Sequence, residues 1–201
     1  MVDQSNQVER PKLLRVSISD PLCVERLANG VADLVTECRR ETAVLLCIGS
    51  DRSTGDSLGP LVGSNMSKRP IAGLYVLGTL DNPVHAGNLC EALERLNSTR
   101  PDSLVIAVDA SLGKLEQVGT VSLGRGALKP GAGVNKELPL VGHMFLTGTV
   151  NVGGFMEYMV LQNTRLSTVM KMAEAISAAL YLGLTRSAAK PEGRFWLAGK
   201  A

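Results

Sequence analysis

Two hydrophobic periods alternate along the chain. "AVLLCIG" (43–49), "LYVLGTL" (74–80) and "DSLVIAVDA" (102–110) are short, almost continuously apolar runs. Runs of this length without polar alternation predict strands covered on both faces. Elsewhere the spacing is helical. "SDPLCVERLANGVADLVTECRR" puts Val24, Leu27, Ala28, Val31, Leu34, Val35 and Cys38 on one face, with Asp20 as cap and Pro21 in the first turn. "LGPLVGSNMSK" reads as a short helix after the first strand. "DNPVHAGNLCEALERLN" reads as a helix after the second, with Asn82 as cap, Pro83 as first helical residue, and Leu89, Leu93 and Leu96 facing inward. Two further strands are predicted, "VGTVSLG" (118–124) and "HMFLTGTVNV" (143–152). The helical pieces "GFMEYMVLQ" and "TRLSTVMKMAEAISAALYLGL" follow, the latter with Leu166, Val169, Met170, Ala173, Ile176 and Leu180 on one face. Residues 1–12 and 185–201 read as loose tails.

Strand followed by helix, repeated, is the signature of parallel strands joined by right-handed crossovers. The expected fold class is α/β, a three-layer α/β/α arrangement around a mostly parallel sheet with a mixed edge. At 201 residues the chain is expected to form a single domain over 1–201, with its core at about 13–184.

Composition narrows the function classes. Hydrophobic residues make up 45% and charged residues 20%, the profile of an ordinary globular protein. A net charge of +2 supplies no field for nucleic acid or an anionic membrane, and 3% aromatics leave few platforms for stacking bases. No membrane span is expected, because no apolar run approaches about 20 residues. "MVDQSNQVERPK" has no apolar signal core, so a cytoplasmic location is expected. Cys23, Cys38, Cys47 and Cys90 form neither a CxxC pair nor a metal-finger spacing, and are expected to be buried, reduced thiols.

The candidate chemistry is acidic. Ligands of open α/β sheets sit beyond the carboxyl ends of the parallel strands. Asp51 and Asp56 follow the first strand, Asp81 and Asn82 the second, and Asp109 ends the third, so all should gather along one edge. "GSDRSTGDSLGP" has the glycines of a phosphate loop but the wrong spacing, and Asp56 stands where a lysine belongs. Two carboxylates in one pocket admit two chemistries. They can share a proton and hydrolyse an amide as acid and base, or they can hold a divalent metal with help from His85. Each residue also has a purely structural reading: Asp109 and Asp56 as caps, Asp51 as a turn residue, His85 at a helix start. His143, at the head of a strand, suits a packing or surface role. No G-x-S-x-G elbow is present, and Ser57 has no evident base. The Gly- and Pro-rich stretch 125–142 is long enough to suggest a functional loop.

The segments "CIGSDRSTGDSLGPLVG", "LGTLDNPVHAGNL", "VIAVDASLG" and "GALKPGAGVNKELPLVG" closely resemble the YyaC-type sporulation proteins, relatives of the germination protease of spore-forming bacteria. More distantly the layout resembles the hydrogenase maturation endopeptidases. The resemblance covers about residues 40–182. It implies an aspartate-dependent endopeptidase of an atypical kind, acting on spore proteins in sporulation or germination, inside the forespore. The germination protease's "PDALGP"-like segment lines up with "GDSLGP" and selects Asp56; its "VDA" strand end selects Asp109. Its "PGSGV" loop resembles "PGAGV", Pro130 to Val134, followed by Asn135 and Lys136. Asp56 and Asp109 are therefore the expected catalytic pair. Asp51, Asn82, His85, Gly131, Gly133, Asn135 and Lys136 are the expected substrate-binding residues. The implied partner is a protein or peptide substrate, small acid-soluble spore proteins among them, with no nucleic acid and no membrane. No cofactor is expected. Nickel, which the hydrogenase endopeptidases bind on their substrate, is not expected either, since neither histidine matches that family's segment. Activation by propeptide removal is not expected. Two other readings stand beside this one: a non-catalytic spore protein that keeps the peptidase fold, and metal-assisted recognition of a partner protein.

Overall fold

The computed structural model describes residues 13–131 and 138–189. In chain order the elements are β1 (Leu14–Ser17), α1 (Cys23–Cys38), β2 (Ala43–Cys47), α2 (Leu58–Ser67), β3 (Leu74–Leu77), α3 (Leu89–Thr99), β4 (Leu104–Gly113), β5 (Thr120–Arg125), β6 (Met144–Val152), α4 (Glu157–Gln162) and α5 (Leu166–Ala189). The six strands form one sheet in the order β1-β5-β6-β4-β2-β3. Strands β3, β2, β4 and β6 run parallel, while β5 and β1 are antiparallel additions at one edge. The sheet is thus mostly parallel with a mixed edge, and helices cover both faces.

The covering follows from alternation along the strands. Leu45 and Cys47 of β2, with Ile106 and Val108 of β4, face α1, α2 and α5 and meet Leu27, Val31, Leu58, Met172 and Ile176. Leu46, Ile48 and Ala107 face the other way, against Val84, Leu89, Leu138 and Val141. This second face is covered by α3 and by the chain on either side of the undescribed residues 132–137.

Several expectations need correction. β1 was not predicted. It has only four residues and takes its place by pairing Leu14–Ser17 with Leu123–Thr120, a tertiary contact with almost no local signal. Helix α1 starts at Cys23, because Asp20 Oδ1 accepts the Leu22 N–H at 2.9 Å and Oδ2 holds Arg26 at 2.8 Å. Asp20 and Pro21 thus shape the turn before the helix. Helix α3 starts at Leu89, not at Pro83. Val84 bridges to Ile48 in parallel fashion, and its carbonyl accepts the Gly49 N–H at 2.8 Å, which holds the chain extended there. Asn88 sets the helix start instead. Its Oδ1 accepts the His85 N–H at 2.8 Å and its Nδ2 donates to the Pro83 carbonyl at 3.0 Å.

β4 runs past its predicted end to Gly113 because β6 continues alongside it. Helix α5 extends through Ala189, so residues 185–189 are helix and not tail. Its buried face is Val169, Met172, Ala173, Ile176, Leu180 and Leu184, while Leu166 and Met170 are exposed. Cys23 and Cys47 are buried and Cys38 is half-buried, but Cys90 is exposed on α3. No helix among the described residues is long and apolar enough to cross a membrane. The tails expected at 1–12 and beyond 189 lie outside the described residues.

Candidate active site

Asp109 is not at a strand end; it lies within β4, opposite Thr147 of β6. It is nonetheless the first residue of β4 beyond the stretch paired with β2, which stops at Cys47↔Val108. Alternation turns it to the same face as Ala107, and it is only 4% exposed. Its Oδ1 accepts the N–H of Ala110 at 2.8 Å. Burial pushes the Asp109 carboxyl well above the ordinary value, and the nearby Asp56 carboxylate pushes it further; the N–H groups of Ala110 and Gly131 pull the other way.

Asp56 arrives from the loop after β2. Gly49 leaves the strand with φ +138°, and a Cβ there would lie 1.9 Å from the Asp56 carbonyl oxygen. Only glycine allows the loop to fold back this tightly. The turn is closed by Ser50 N–H donating to that same carbonyl at 3.2 Å. Gly55 N–H donates to the Leu161 carbonyl at 2.8 Å, tying the loop to α4. Ser57 Oγ donates to the Thr54 carbonyl at 2.7 Å, a local structural bond. Burial raises the Asp56 carboxyl above its ordinary value, against opposing contributions from the Ser50 N–H and from His85.

Asp56 and Asp109 line one cavity of about 80 Å³, together with Ile48, Gly49, Ser53, His85, Ala86, Gly131 and Leu138, and with Tyr158 and Leu161 of α4. Of the expected site residues, then, Asp56, Asp109, His85 and Gly131 come together. Asp51 is exposed and does not line the cavity; it belongs to the outer turn of the loop. Asn82 is exposed too and lines a neighbouring trough, because the chain swings outward between β3 and the Val84 bridge. Gly133, Asn135 and Lys136 lie outside the described residues.

The cavity also holds a residue that sequence reasoning passed over. Ser53 is 9% exposed, and its hydroxyl has no hydrogen-bond partner among the described residues. A serine in a Gly/Ser/Asp loop carries no signal of this kind; only the folded loop buries it. Leaving a buried hydroxyl unpaired costs about 1–3 kcal/mol, so such a group marks a place where a ligand or water can bond.

His85 Nδ1 accepts the Gly87 N–H at 3.0 Å, which leaves Nε2 as the ring's remaining polar atom. His143 is elsewhere: its Nδ1 accepts the Val105 N–H at 2.9 Å and its own N–H donates to the Val105 carbonyl at 2.8 Å. It fastens the start of β6 to β4, the packing role expected of it. Burial lowers its pKa. No three His, Cys, Asp or Glu side chains among the described residues gather as a metal-ligating group.

Comparison with known proteins gives a family. A family model described as a protein of unknown function (DUF1256) matches residues 15–179, and the chain belongs to that family. The chain is also 45% identical, over 167 residues, to the uncharacterized protein YyaC of Bacillus subtilis (strain 168), an alignment spanning 83% of this chain and 82% of that protein.

Proposed function

We propose that this protein is an aspartate-dependent endopeptidase of the germination-protease kind, with Asp56 and Asp109 sharing one catalytic proton. The observation that carries the reading is the placement of both carboxyls in one small, largely buried cavity, where burial disfavours charge on each. Two such groups do not both ionise readily, so the pair holds a single negative charge over a range of pH.

The chemistry follows from that. The ionised member takes a proton from a water as that water's oxygen bonds to the scissile carbonyl carbon and the protonated member gives a proton to the carbonyl oxygen. The C–N bond then breaks as a carboxyl protonates the leaving nitrogen, releasing an acid and an amine. Burial and the Asp56 charge favour Asp109 as the protonated partner at the start. On a measure where one water needs about 10–15 Å³, a cavity of about 80 Å³ has room for the attacking water beside the two carboxyls. Ser53 Oγ offers a hydrogen bond to the substrate carbonyl or to the water. By the resemblance in its motifs, the natural substrate is a spore protein cleaved during sporulation or germination.

The direct test is to incubate the purified protein with small acid-soluble spore proteins and follow fragments by mass spectrometry. Cleavage by the wild type that is lost in both Asp56→Asn and Asp109→Asn supports the reading. A wild type that cuts none of them, at any pH from acid to neutral, refutes it.

A further inference from the structure

Beside the carboxylate cavity runs a second, larger depression of about 740 Å³, between the outer edge of β3 and helix α3. The side chains of Val44, Tyr75 and Leu77 form its floor and Ala92 and Leu96 its helical wall, while Val76, whose side chain packs on the opposite face of the sheet, borders it through its backbone. At one end stands Tyr75, 40% exposed, with the Arg100 guanidinium stacked 3.1 Å from its ring centroid. At the other end stands His85, which lines both this trough and the carboxylate cavity.

The strand beside this trough has free backbone groups. β3 is last in the strand order, so its outer side pairs with no strand among the described residues. The Ala43 N–H donates to the Gly73 carbonyl, and Ala43 and Leu45 stand opposite Leu74 and Val76. In a parallel ladder this register gives the bonds to β2 to Gly73, Tyr75 and Leu77. The N–H and C=O of Val76 therefore point outward, as does the C=O of Leu74, whose own N–H is taken by Ile71 at 3.1 Å.

We propose that the β3–α3 trough binds an extended polypeptide as an added strand along β3 and leads it past His85 to the carboxylate cavity. Three observations converge on that occupant. The edge offers alternating donor and acceptor groups that match a main chain, whatever its sequence. The floor is apolar and takes the strand's alternate side chains. The cavity it meets at His85 is far smaller than the trough, about 80 Å³ against about 740 Å³, so the trough is where most of an extended chain would lie. That the bound chain is then cut rests on the peptidase reading; the binding itself does not.

Val76→Pro separates the two questions. Proline removes the outward N–H but none of the bonds to β2, and edge strands accept it. Val76→Ala trims the same side chain and keeps the N–H. The probe is a fluorescein-labelled mixture of degenerate decapeptides, read by anisotropy with the full chain. Wild type and Val76→Ala are expected to bind within about threefold of each other, while Val76→Pro binds about tenfold more weakly, the effect of one backbone hydrogen bond. Hydrogen exchange of the wild type supplies a readout free of any folding defect in the proline variant: the Val76 amide exchanges rapidly alone and slows when the decapeptides are added. No anisotropy change with the wild type, equal weakening in both variants, or a Val76 amide unaffected by peptide overturns the proposal. So does protection that grows with protein concentration and no peptide, since the edge then pairs with a second copy. Decapeptides that bind while small acid-soluble spore proteins stay uncut would sink the peptidase reading and leave this one standing.

Discussion

Asp56 and Asp109 come from different crossover units and line the same cavity, where burial raises the pKa of the Asp109 carboxyl and the charge on Asp56 raises it further. Asp109 is fixed in a strand paired on both of its flanks, through Val108 to β2 and directly to β6. Asp56 sits on a loop held by Gly49, Gly55 and α4. A rigid acid thus faces one whose position depends on a loop.

Replacing either acid by its neutral isostere tests the dyad. Asp56→Asn and Asp109→Asn are each expected to lower kcat on a peptide substrate by about 10²- to 10⁴-fold, the range of general acid–base catalysis. Circular dichroism should stay unchanged. Loss of activity in only one variant would show that the two do not work as a pair.

Stability against pH tests the buried state of Asp109 without any substrate. Its folded pKa is raised, so its neutral form is favoured on folding. The resulting stability is fully present below the unfolded value, near 3.8, and is lost as pH rises through the folded value. Asp109→Asn stays neutral throughout. The difference in melting temperature, variant minus wild type, should therefore be flat below pH 3.8 and grow in the variant's favour above it. A difference independent of pH contradicts the raised value.

Ser53→Ala should make the free protein more stable, by about 1 kcal/mol in urea denaturation, because it removes a buried hydroxyl that has no partner among the described residues. The same substitution should slow peptide cleavage if that hydroxyl serves the substrate. Lower stability with full activity would mean that Ser53 acts as ordinary packing.

Gly49→Ala probes the turn that delivers Asp56. The new Cβ would overlap the Asp56 carbonyl, at a φ of +138° that L-residues rarely adopt. Destabilisation of at least about 2 kcal/mol is expected, measured by chemical denaturation. A near-neutral effect would mean that the loop can reach its place by another backbone path.

Parts of this molecule are written in local chemistry. Ala43–Cys47 and Leu104–Val108 read as inner strands, since five successive apolar residues sit best between two layers, and in the fold all of them are buried but Val105, which is half-buried. The rule that ligands gather beyond such strands brought Asp51, Asp56, Asp81, Asn82 and Asp109 to one edge, and the motif resemblance selected Asp56 and Asp109 among them. Local chemistry failed where a distant partner intervened. Pro83 and Asn82 look like a helix start, but the Val84 bridge to Ile48 outweighs that preference and moves the start to Leu89. β1 exists only because β5 offers it an edge.

The sequence by itself determined the parallel core, the two acids and the glycine turn, because each rests on neighbours a few residues apart. Tertiary structure decided which groups share the cavity. It left Asp51 and Asn82 outside, kept His85 as expected, brought in Tyr158 and Leu161, buried Ser53 without a partner among the described residues, and left the Val76 amide on an edge unpaired by any described strand. Those outcomes depend on how loops and helices far apart in the chain close over one another, and no stretch of sequence carries that alone.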